Sequence, residues 1–321
     1  MSRLLWVVAV LCFASVLMAR QAATQPPRGQ GRGQRGQPGQ PSPPQQLAWV
    51  DRTGKVLGTI GQQQASILDP AISPDGAKVA VRGRDQQGET EHLWIHEGTT
   101  KHRLTNNAGA ERHVMWSPKG DRLAFSVQDQ GGVSNLFIRA ADGSGADQPL
   151  IVSEGLHKWS PTWSPDGRFI VYHTANPTTN ARDLWFINVA DKKAEPLVES
   201  PAIEALPRFS PDGRYVAYGS DEGGRLEVYV TTFPKSASKW KISTNGGVWP
   251  KWGNNEVFYW EGNALMAVKI DAGSTFKASA PEKILTGAQV GMGPDPLTGY
   301  NPAYDVRGSR IIVVQRVEPP R

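Results

Sequence analysis

Cysteine is almost absent from this sequence, since Cys12 is the single one among 321 residues. A disulfide within the chain and a metal site built from cysteine thiolates are therefore excluded. Histidine is also scarce, with six copies, which limits imidazole-based metal and catalytic sites. In contrast, 34 glycines, 25 prolines and 11 tryptophans are typical of short β-strands joined by tight turns.

Excess charge is absent from most of the chain, although the formal net charge is +5. Residues 1–46 contain five arginines and no lysine, aspartate or glutamate, so the remaining residues carry 30 basic and 30 acidic side chains. A nucleic-acid-binding surface needs cationic residues clustered on a folded face. The balanced charge of residues 47–321 therefore predicts a protein that does not bind nucleic acid.

Residues 1–23 have the three regions of a secretory signal peptide: a basic start, an apolar run over Leu4–Met18, and small residues after it. No clean cleavage site follows the run, so an uncleaved inner-membrane anchor is the alternative. Residues 24–46 are mainly Gln, Pro, Gly and Arg, a composition that predicts a disordered linker. We expect a periplasmic or secreted protein, or one anchored in the inner membrane and facing the periplasm.

A Ser-Pro-Asp-Gly motif recurs along residues 47–321, with its prolines 44, 47 and 46 residues apart. The four copies are Ser73–Gly76, Ser117–Gly120 (with Lys119 in place of Asp), Ser164–Gly167 and Ser210–Gly213. Degraded copies follow at Gly253–Asn255 and Arg307–Ser309. Each motif precedes a β-rich strand, a polar loop, a strand of the Leu-Trp-Ile type and a last short strand. Four strands at a period of about 45 residues predict one blade of a β-propeller.

The chemistry of a tight turn explains the recurrent motif. Proline presets φ at the second position, Asp forms local hydrogen bonds, and Gly adopts the left-handed conformation that reverses the chain. The large apolar residue before each Ser should pack between neighbouring blades. The repetition in unit after unit indicates that these Ser and Asp residues are structural and not catalytic.

The sixth repeat is split between the two ends of the array. Its first two strands lie around Tyr304–Gln315, whereas Leu47–Val50 matches the third strand and Val56–Ile60 the fourth. We therefore predict an all-β fold, a six-bladed β-propeller of four-stranded antiparallel blades, with the sixth blade closed by N- and C-terminal strands. Such closure removes the exposed sheet edges of an open array.

The repeated Ser-Pro-Asp-Gly turn, followed about 20 residues later by a Leu-Trp or Leu-Phe pair, resembles the TolB-like, WD40-like β-propeller repeat family of bacteria. The resemblance covers residues 47–321. In Leu47–Gly61, Gly246–Trp252 and Tyr304–Val306, the sequence is similar to the propeller half of bacterial membrane-anchored Ser/Thr kinases. The Gly-rich loop and the His-Arg-Asp loop of a kinase are missing from this sequence. The resemblance therefore implies the propeller only.

Residues just before the innermost strands should converge on one mouth of the central channel. We predict a binding site there, formed by Asp69, Arg112, His113, Lys158, Trp159, Glu204, Trp249 and Tyr300. The aromatic rings in this set also suit stacking against sugars, but packing at the rim is the alternative that we favour.

Enzymatic readings of the same residues find less support in the sequence. A histidine-bound metal, as in propeller-type pectin lyases, needs about three convergent imidazoles or carboxylates, and only His113 and His157 fall near the predicted mouth. A hydrolase of the Ser-His-Asp type would need a Gly-x-Ser-x-Gly elbow, which is not found. We expect no catalytic residues, no cofactor and no metal.

The sequence thus predicts a non-enzymatic, monomeric scaffold outside the cytoplasm, which presents its channel mouth to a protein or peptide partner in the cell envelope. A carbohydrate-active enzyme of the metal-dependent lyase type, or a sugar-binding protein, is the alternative. Carboxylates or imidazoles that converge in a pocket would favour this alternative.

Overall fold

A computed structural model describes residues 43–273, 275–292 and 303–317. These residues lie in one compact unit, Ser42–Arg321. The predicted signal peptide, most of the predicted linker, and Tyr300 lie outside the described residues. Within the described ranges, no helix has the length and apolar character needed to span a membrane.

The described residues form 25 β-strands and one short 3-10 helix, Ala288–Val290. The first fourteen strands are β1 (Gln45–Val50), β2 (Val56–Gln64), β3 (Ser66–Ile72), β4 (Lys78–Arg84), β5 (His92–Glu97), β6 (Thr100–Arg103), β7 (Glu111–Trp116), β8 (Arg122–Gln128), β9 (Ser134–Ala140), β10 (Gln148–Ile151), β11 (His157–Trp163), β12 (Phe169–Ala175), β13 (Leu184–Asn188) and β14 (Ala194–Val198). The remaining strands are β15 (Glu204–Phe209), β16 (Tyr215–Ser220), β17 (Glu227–Thr232), β18 (Lys239–Lys241), β19 (Val248–Trp252), β20 (Glu256–Glu261), β21 (Ala264–Ala272), β22 (Phe276–Ala278), β23 (Glu282–Thr286), β24 (Tyr304–Arg307) and β25 (Arg310–Arg316).

These strands form six antiparallel sheets, which are the six predicted blades. Blades one to four run from the innermost to the outermost strand in chain order, as β3-β4-β5-β6, β7-β8-β9-β10, β11-β12-β13-β14 and β15-β16-β17-β18. Blade five begins with β19-β20-β21, and its long third strand pairs with both β22 and β23. The predicted fold class, a six-bladed all-β propeller, is confirmed.

The sixth blade has the strand order β24-β25-β1-β2, so the predicted closure by both ends of the array is confirmed. Strand β1 pairs antiparallel with β25, and Leu47 lies opposite Val314. The first strand begins at Gln45, two residues before the predicted boundary. Gln45 extends the ladder because it pairs with Arg316 and its side-chain oxygen accepts a hydrogen bond from the Ile67 N–H at 2.5 Å.

Buried apolar side chains form six clusters, one in each space between neighbouring blades. The residues before the Ser-Pro turns, such as Trp116, Trp163 and Phe209, are members of these clusters. The Trp116 indole also donates a hydrogen bond to the Ala71 carbonyl oxygen of the preceding blade at 2.9 Å. The predicted role of these residues in packing between blades is confirmed.

The Ser-Pro-Asp-Gly turns have the predicted conformation, and Gly76 adopts a φ of +75°. The Ser73 hydroxyl donates to the Asp75 carboxylate at 2.5 Å and accepts a hydrogen bond from the Lys78 N–H at 2.9 Å. The bonds from Ser73 and from the Ala77 N–H hold the pKa of Asp75 below its ordinary value. Both side chains are thus occupied within the turn, in keeping with a structural role.

Candidate functional site

Five of the six innermost strands contain a β-bulge at the equivalent position, marked by a register shift. A non-glycine residue with φ between +51° and +60° occupies each bulge: Asp69, His113, Ser160, Leu206 and Trp249. This conformation is rare for such residues and costs on the order of 1–3 kcal/mol each. Its recurrence shows that the bulge is a regular feature of the strands that surround the channel.

A cavity of about 520 Å³ opens on the channel axis, on the face that carries the Ser-Pro-Asp-Gly turns. All six blades contribute to its wall. Ile72, Met115 and Thr162 line the half formed by blades one to three, whereas Arg208, Lys251 and Asp305 line the half formed by blades four to six. We call this space the axial cavity. One half of its wall is therefore uncharged, and the other half carries one anion and three cations, the third being the exposed Arg307.

Lys251 and Asp305 form a buried ion pair in the axial cavity, with 3.2 Å between Nζ and Oδ1. Asp305 Oδ2 also accepts a hydrogen bond from the Ile72 N–H at 2.8 Å, which connects blade six to blade one. Burial, together with nearby Arg208, lowers the pKa of Lys251 to about 8 against the opposing effect of Asp305. The pair thus stabilises the closure of the propeller at its axis.

Arg208 lines the axial cavity and forms no ion pair with any described residue. Its Nη1 donates to the Pro207 carbonyl oxygen at 2.8 Å, and its buried Nε has no hydrogen-bond partner in the described part of the chain. Burial lowers the pKa of Arg208, although the Asp305 and Asp69 carboxylates oppose this. A guanidinium with unused donors beside a cavity is suited to bind an oxygen anion, because charge-assisted hydrogen bonds would offset its desolvation.

Asp69, the first residue of the predicted mouth, belongs to an ion-pair network inside the propeller. Its Oδ2 lies 3.0 Å from Arg82 Nε and accepts a hydrogen bond from the His113 N–H at 3.3 Å. Arg82 also contacts the Glu91 carboxylate. Asp69 is 6% exposed, so this carboxylate mainly stabilises the interior.

Lys158 and Glu204 were expected at the mouth, but the structure buries both, with exposures of 3% and 1%. Lys158 Nζ donates to Asn135 Oδ1 at 3.0 Å and to the Ser153 carbonyl oxygen at 2.6 Å, so it bonds to the preceding blade and its exit loop. Glu204 Oε1 accepts a hydrogen bond from the Ser200 hydroxyl at 2.6 Å. Both residues lie two positions before a bulge, where the side chain turns away from the channel.

Trp159 brings three histidines together on the side of the channel away from the turns. Its ring centroid lies 6.5 Å from that of His113, 4.6 Å from His157 and 5.8 Å from His173. The Arg182 guanidinium lies over the same indole at 5.8 Å. Burial lowers the pKa of His113 to about 4 and that of His173 well below its ordinary value, so both are neutral at physiological pH.

The described residues include no group of three or more His, Cys, Asp or Glu side chains arranged to hold a metal ion. Two further mouth residues have separate environments. The Trp249 carbonyl oxygen accepts a hydrogen bond from the Tyr304 hydroxyl at 2.6 Å, and its side chain packs against the core between blades five and six. Arg112 is partly exposed. Of the predicted set, the structure brings together Asp69, His113 and Trp159.

Sequence reasoning missed the charged residues of the axial cavity. Arg208, Lys251 and Asp305 occupy the same position of the repeat, two residues before the first residue of the turn. Ala71, Met115 and Thr162 hold this position in the first three blades. Three charged residues in a column that is otherwise uncharged were the signal that could have located the site.

Comparison with known proteins gives partial sequence matches, and no protein-family profile matches the chain. An uncharacterized protein of Agrobacterium fabrum is 30% identical over 158 residues, which are 48% of this chain and 52% of that protein. A Tol-Pal system protein TolB of Anaeromyxobacter dehalogenans is 31% identical over 37% of this chain and 26% of its own length. An uncharacterized peptidase of Bacillus subtilis is 31% identical over 33% of this chain and 17% of its own length. The matches thus span about half or less of these relatives.

Solved structures match over more of the chain at lower identity. A TolB-type protein of Agrobacterium tumefaciens superposes with a TM-score of 0.64 at 15% identity, over 87% of this chain and 100% of that one. TolB of Acinetobacter baumannii gives 0.54 at 14% identity, over 75% and 66% of the two chains. An oligogalacturonate lyase in complex with manganese gives 0.52 at 12% identity, over 76% and 75%. The chain therefore has the fold of a β-propeller, and in particular that of a TolB-like six-bladed β-propeller.

Proposed function

We propose that this chain is a non-enzymatic scaffold outside the cytoplasm that binds a protein or peptide partner of the cell envelope. The axial cavity is the observation that carries this proposal. It is open on the turn face, all six blades contribute to it, and it is lined by Arg208, whose buried Nε has no hydrogen-bond partner among the described residues. A concave site with a few polar groups aimed into it is typical of a binding pocket.

The N-terminal sequence supports the location outside the cytoplasm. Residues 1–23 have the pattern of a signal peptide, with an uncleaved anchor as the alternative. The relative from Anaeromyxobacter is named a Tol-Pal system protein, which also favours an envelope role for this chain. Residues 24–46 would then separate the propeller from the signal or anchor segment.

The occupied side chains around the axial cavity favour binding over catalysis. The Ser210 hydroxyl donates to Asp212 at 2.6 Å and accepts the Tyr215 N–H at 3.0 Å, so it is held within its turn. Lys251 and Asp305 neutralise each other. Neither arrangement resembles a nucleophile paired with a general base. The match to a peptidase covers 17% of that protein, so it supports a propeller repeat common to both proteins and does not support peptidase activity in this chain.

The turn face is the side of the propeller on which we place the partner. This differs from the mouth predicted from the sequence, where Lys158 and Glu204 are buried and hydrogen-bonded. Since the axial cavity is open beside the turns, a protruding segment of the partner would enter there. Trp159 and the histidines around it, on the opposite face, would then serve to stabilise the propeller.

Photo-crosslinking in living cells tests this proposal. A photoreactive residue replaces either Lys119, which is exposed on the turn face, or Arg112, at the predicted mouth on the other side. We expect a discrete crosslinked envelope protein from position 119 and none from position 112. Crosslinks from position 112 alone would place the partner on the other face, and the absence of crosslinks from both positions would contradict the scaffold.

A further inference from the structure

The turns of blades one to four form a continuous wall around the axial cavity. In the turns of blades two to four, the glycine lies against the proline of the preceding turn, whereas Gly76 of blade one lies nearest to Arg310 Nη1. A Cβ atom on Gly120 would be 3.5 Å from Pro74 Cδ, and one on Gly213 would be 3.1 Å from Pro165 Cδ. These turns have equal length. In each, the serine N–H donates a hydrogen bond to the carbonyl oxygen five residues later, as in Ser73 to Lys78, so four residues lie between the two bonded residues.

The fifth turn is two residues shorter and interrupts this wall. Its closing bond joins the Gly253 N–H to the Glu256 carbonyl oxygen at 2.9 Å, with only Asn254 and Asn255 between them. A pocket of about 290 Å³ opens at this place, between blades four and five. We call it the side pocket. Its lining includes Pro211, Tyr215, Trp252, Asn254, Ile270 and Ala272.

The side pocket and the axial cavity adjoin each other. Ser210, Pro211, Trp252 and Asn254 belong to the walls of both. The two adjacent spaces make one groove on the turn face, with Arg208 and Lys251 at the axial end. The outer end has a mixed lining, in which Tyr215, Ile270 and Ala272 supply apolar surface and the Asp212–Arg214 ion pair supplies charge. Trp252 separates the two ends and donates a hydrogen bond to the Arg208 carbonyl oxygen at 3.1 Å.

We propose that this groove binds an extended peptide segment of the partner, with an Asp or Glu side chain at Arg208 and a large apolar side chain in the side pocket. This rests on the proposed function. The acidic anchor follows from charge, since Arg208 has no ion pair among the described residues and a carboxylate can accept two of its N–H groups. Because Trp252 lines both spaces, we expect the acidic and apolar side chains to lie close together in the peptide, within about three residues at a rise of about 3.3 Å per residue.

The chemistry of the groove favours a peptide over a sugar chain. An uncharged oligosaccharide would leave Arg208 without an ion pair. An acidic oligosaccharide would supply carboxylates but no large apolar group for Tyr215 and Ile270, which are 8% and 6% exposed at the base of the side pocket. An internal segment of a peptide supplies both groups.

A random nonapeptide library with amidated C-termini, selected on the full chain, tests the proposal. We expect enrichment of Asp or Glu within three residues of Phe, Trp or Leu. For the selected peptides, Arg208→Gln should weaken binding at least tenfold, and Arg208→Lys should weaken it less because the charge remains. Asn254→Trp, which fills the side pocket, should remove the apolar preference and keep the acidic one. Lys119→Trp on the second turn is the matched control and should change neither preference.

Three results would overturn the proposal. They are enrichment without acidic residues, equal binding of peptides whose only carboxylate is the free C-terminus, and displacement of the selected peptides by oligogalacturonate. Crosslinking from position 119 distinguishes a failure of the peptide-groove proposal from a failure of the scaffold proposal. If Arg208→Gln and Asn254→Trp leave the crosslinked partner unchanged, the peptide groove is wrong and the scaffold stands. If the otherwise wild-type protein gives no crosslink from position 119 or from position 112, the scaffold itself is wrong.

Discussion

The indole nitrogen of Trp252 donates a hydrogen bond to the carbonyl oxygen of Arg208 at 3.1 Å. This bond joins the innermost strands of blades four and five beside the axial cavity. The Trp116 indole makes the equivalent bond to Ala71 between blades two and one, at 2.9 Å. The tryptophan of one blade thus fixes the strand that carries the axial residue of the blade before it.

We predict that Trp252→Phe keeps the fold but loosens the position of Arg208. The loss of one partly buried hydrogen bond should lower the free energy of unfolding by about 1 kcal/mol, since the aromatic ring is retained. Chemical denaturation measures this change. Trp240→Phe is the matched control, because the Trp240 ring stacks on Phe276 at 4.1 Å in the outer part of the same blade interface. Equal losses of selected-peptide binding in both variants would argue against a specific role of Trp252.

The closure of blade six predicts different effects for two N-terminal deletions. Removal of residues 45–61 takes away β1 and most of β2, so the apolar side chains of β25, such as Ile312 and Val314, lose their partners. Removal of residues 24–42 leaves every described strand intact. The first deletion should abolish cooperative thermal unfolding, and the second should leave the melting temperature unchanged. Equal melting temperatures would contradict the closure.

Glu204 predicts that stability falls as pH rises from about 4.5 to 7. Burial and the nearby Asp183, Glu222 and Asp221 carboxylates together raise the pKa of this carboxyl group to about 7, against the Ser200 hydrogen bond. In this range the folded state keeps a proton that the unfolded state releases, so rising pH favours unfolding. In the wild type, the free energy of unfolding should fall by on the order of 1–3 kcal/mol over this pH range, and Glu204→Gln should remove this fall. Urea denaturation at several pH values measures both. An unchanged pH slope in the variant would refute this origin.

Export of the chain is tested by fusing alkaline phosphatase after residue 46 in a bacterial host. The basic start and apolar run of residues 1–23 predict an active enzyme, because alkaline phosphatase needs an oxidising compartment to form its disulfides. Sequencing of the mature N-terminus separates cleavage from anchoring. Activity of only a cytoplasmic reporter at the same junction would contradict export.

Much of the fold could be predicted from the sequence because the turn chemistry repeats at a regular period. The split blade followed from counting strands, and two of its bounds differed: β1 starts at Gln45 and β2 extends to Gln64, since glutamines carry no strand signal. The bulges could not be predicted, because Asp69, His113 and Leu206 adopt positive φ without a glycine to indicate it. Proline follows the bulge residue in four of the five strands, a partial signal.

The binding site was harder to predict because of the same β-bulges in the innermost strands. A bulge shifts the register of the innermost strand, so residues before it do not all face the channel. Lys158 and Glu204 lie two positions before a bulge and turn into the space between blades. The axial residues come after the bulge, where the distance to the turn is constant and the position of Arg208 in the repeat could have identified it.

The central claim is that the partner binds on the turn face through the axial cavity. The most direct measurement is the yield of the crosslink from position 119 in three proteins: wild type, Arg208→Gln with Lys251→Met, and Trp159→Phe with Trp249→Phe. We predict at least a tenfold loss of the crosslinked partner in the Arg208 and Lys251 variant, with near wild-type yield in the tryptophan variant. Circular dichroism at the assay temperature confirms that each variant is folded. A wild-type yield in the first variant with a loss in the second would place the binding site on the opposite face and contradict the account.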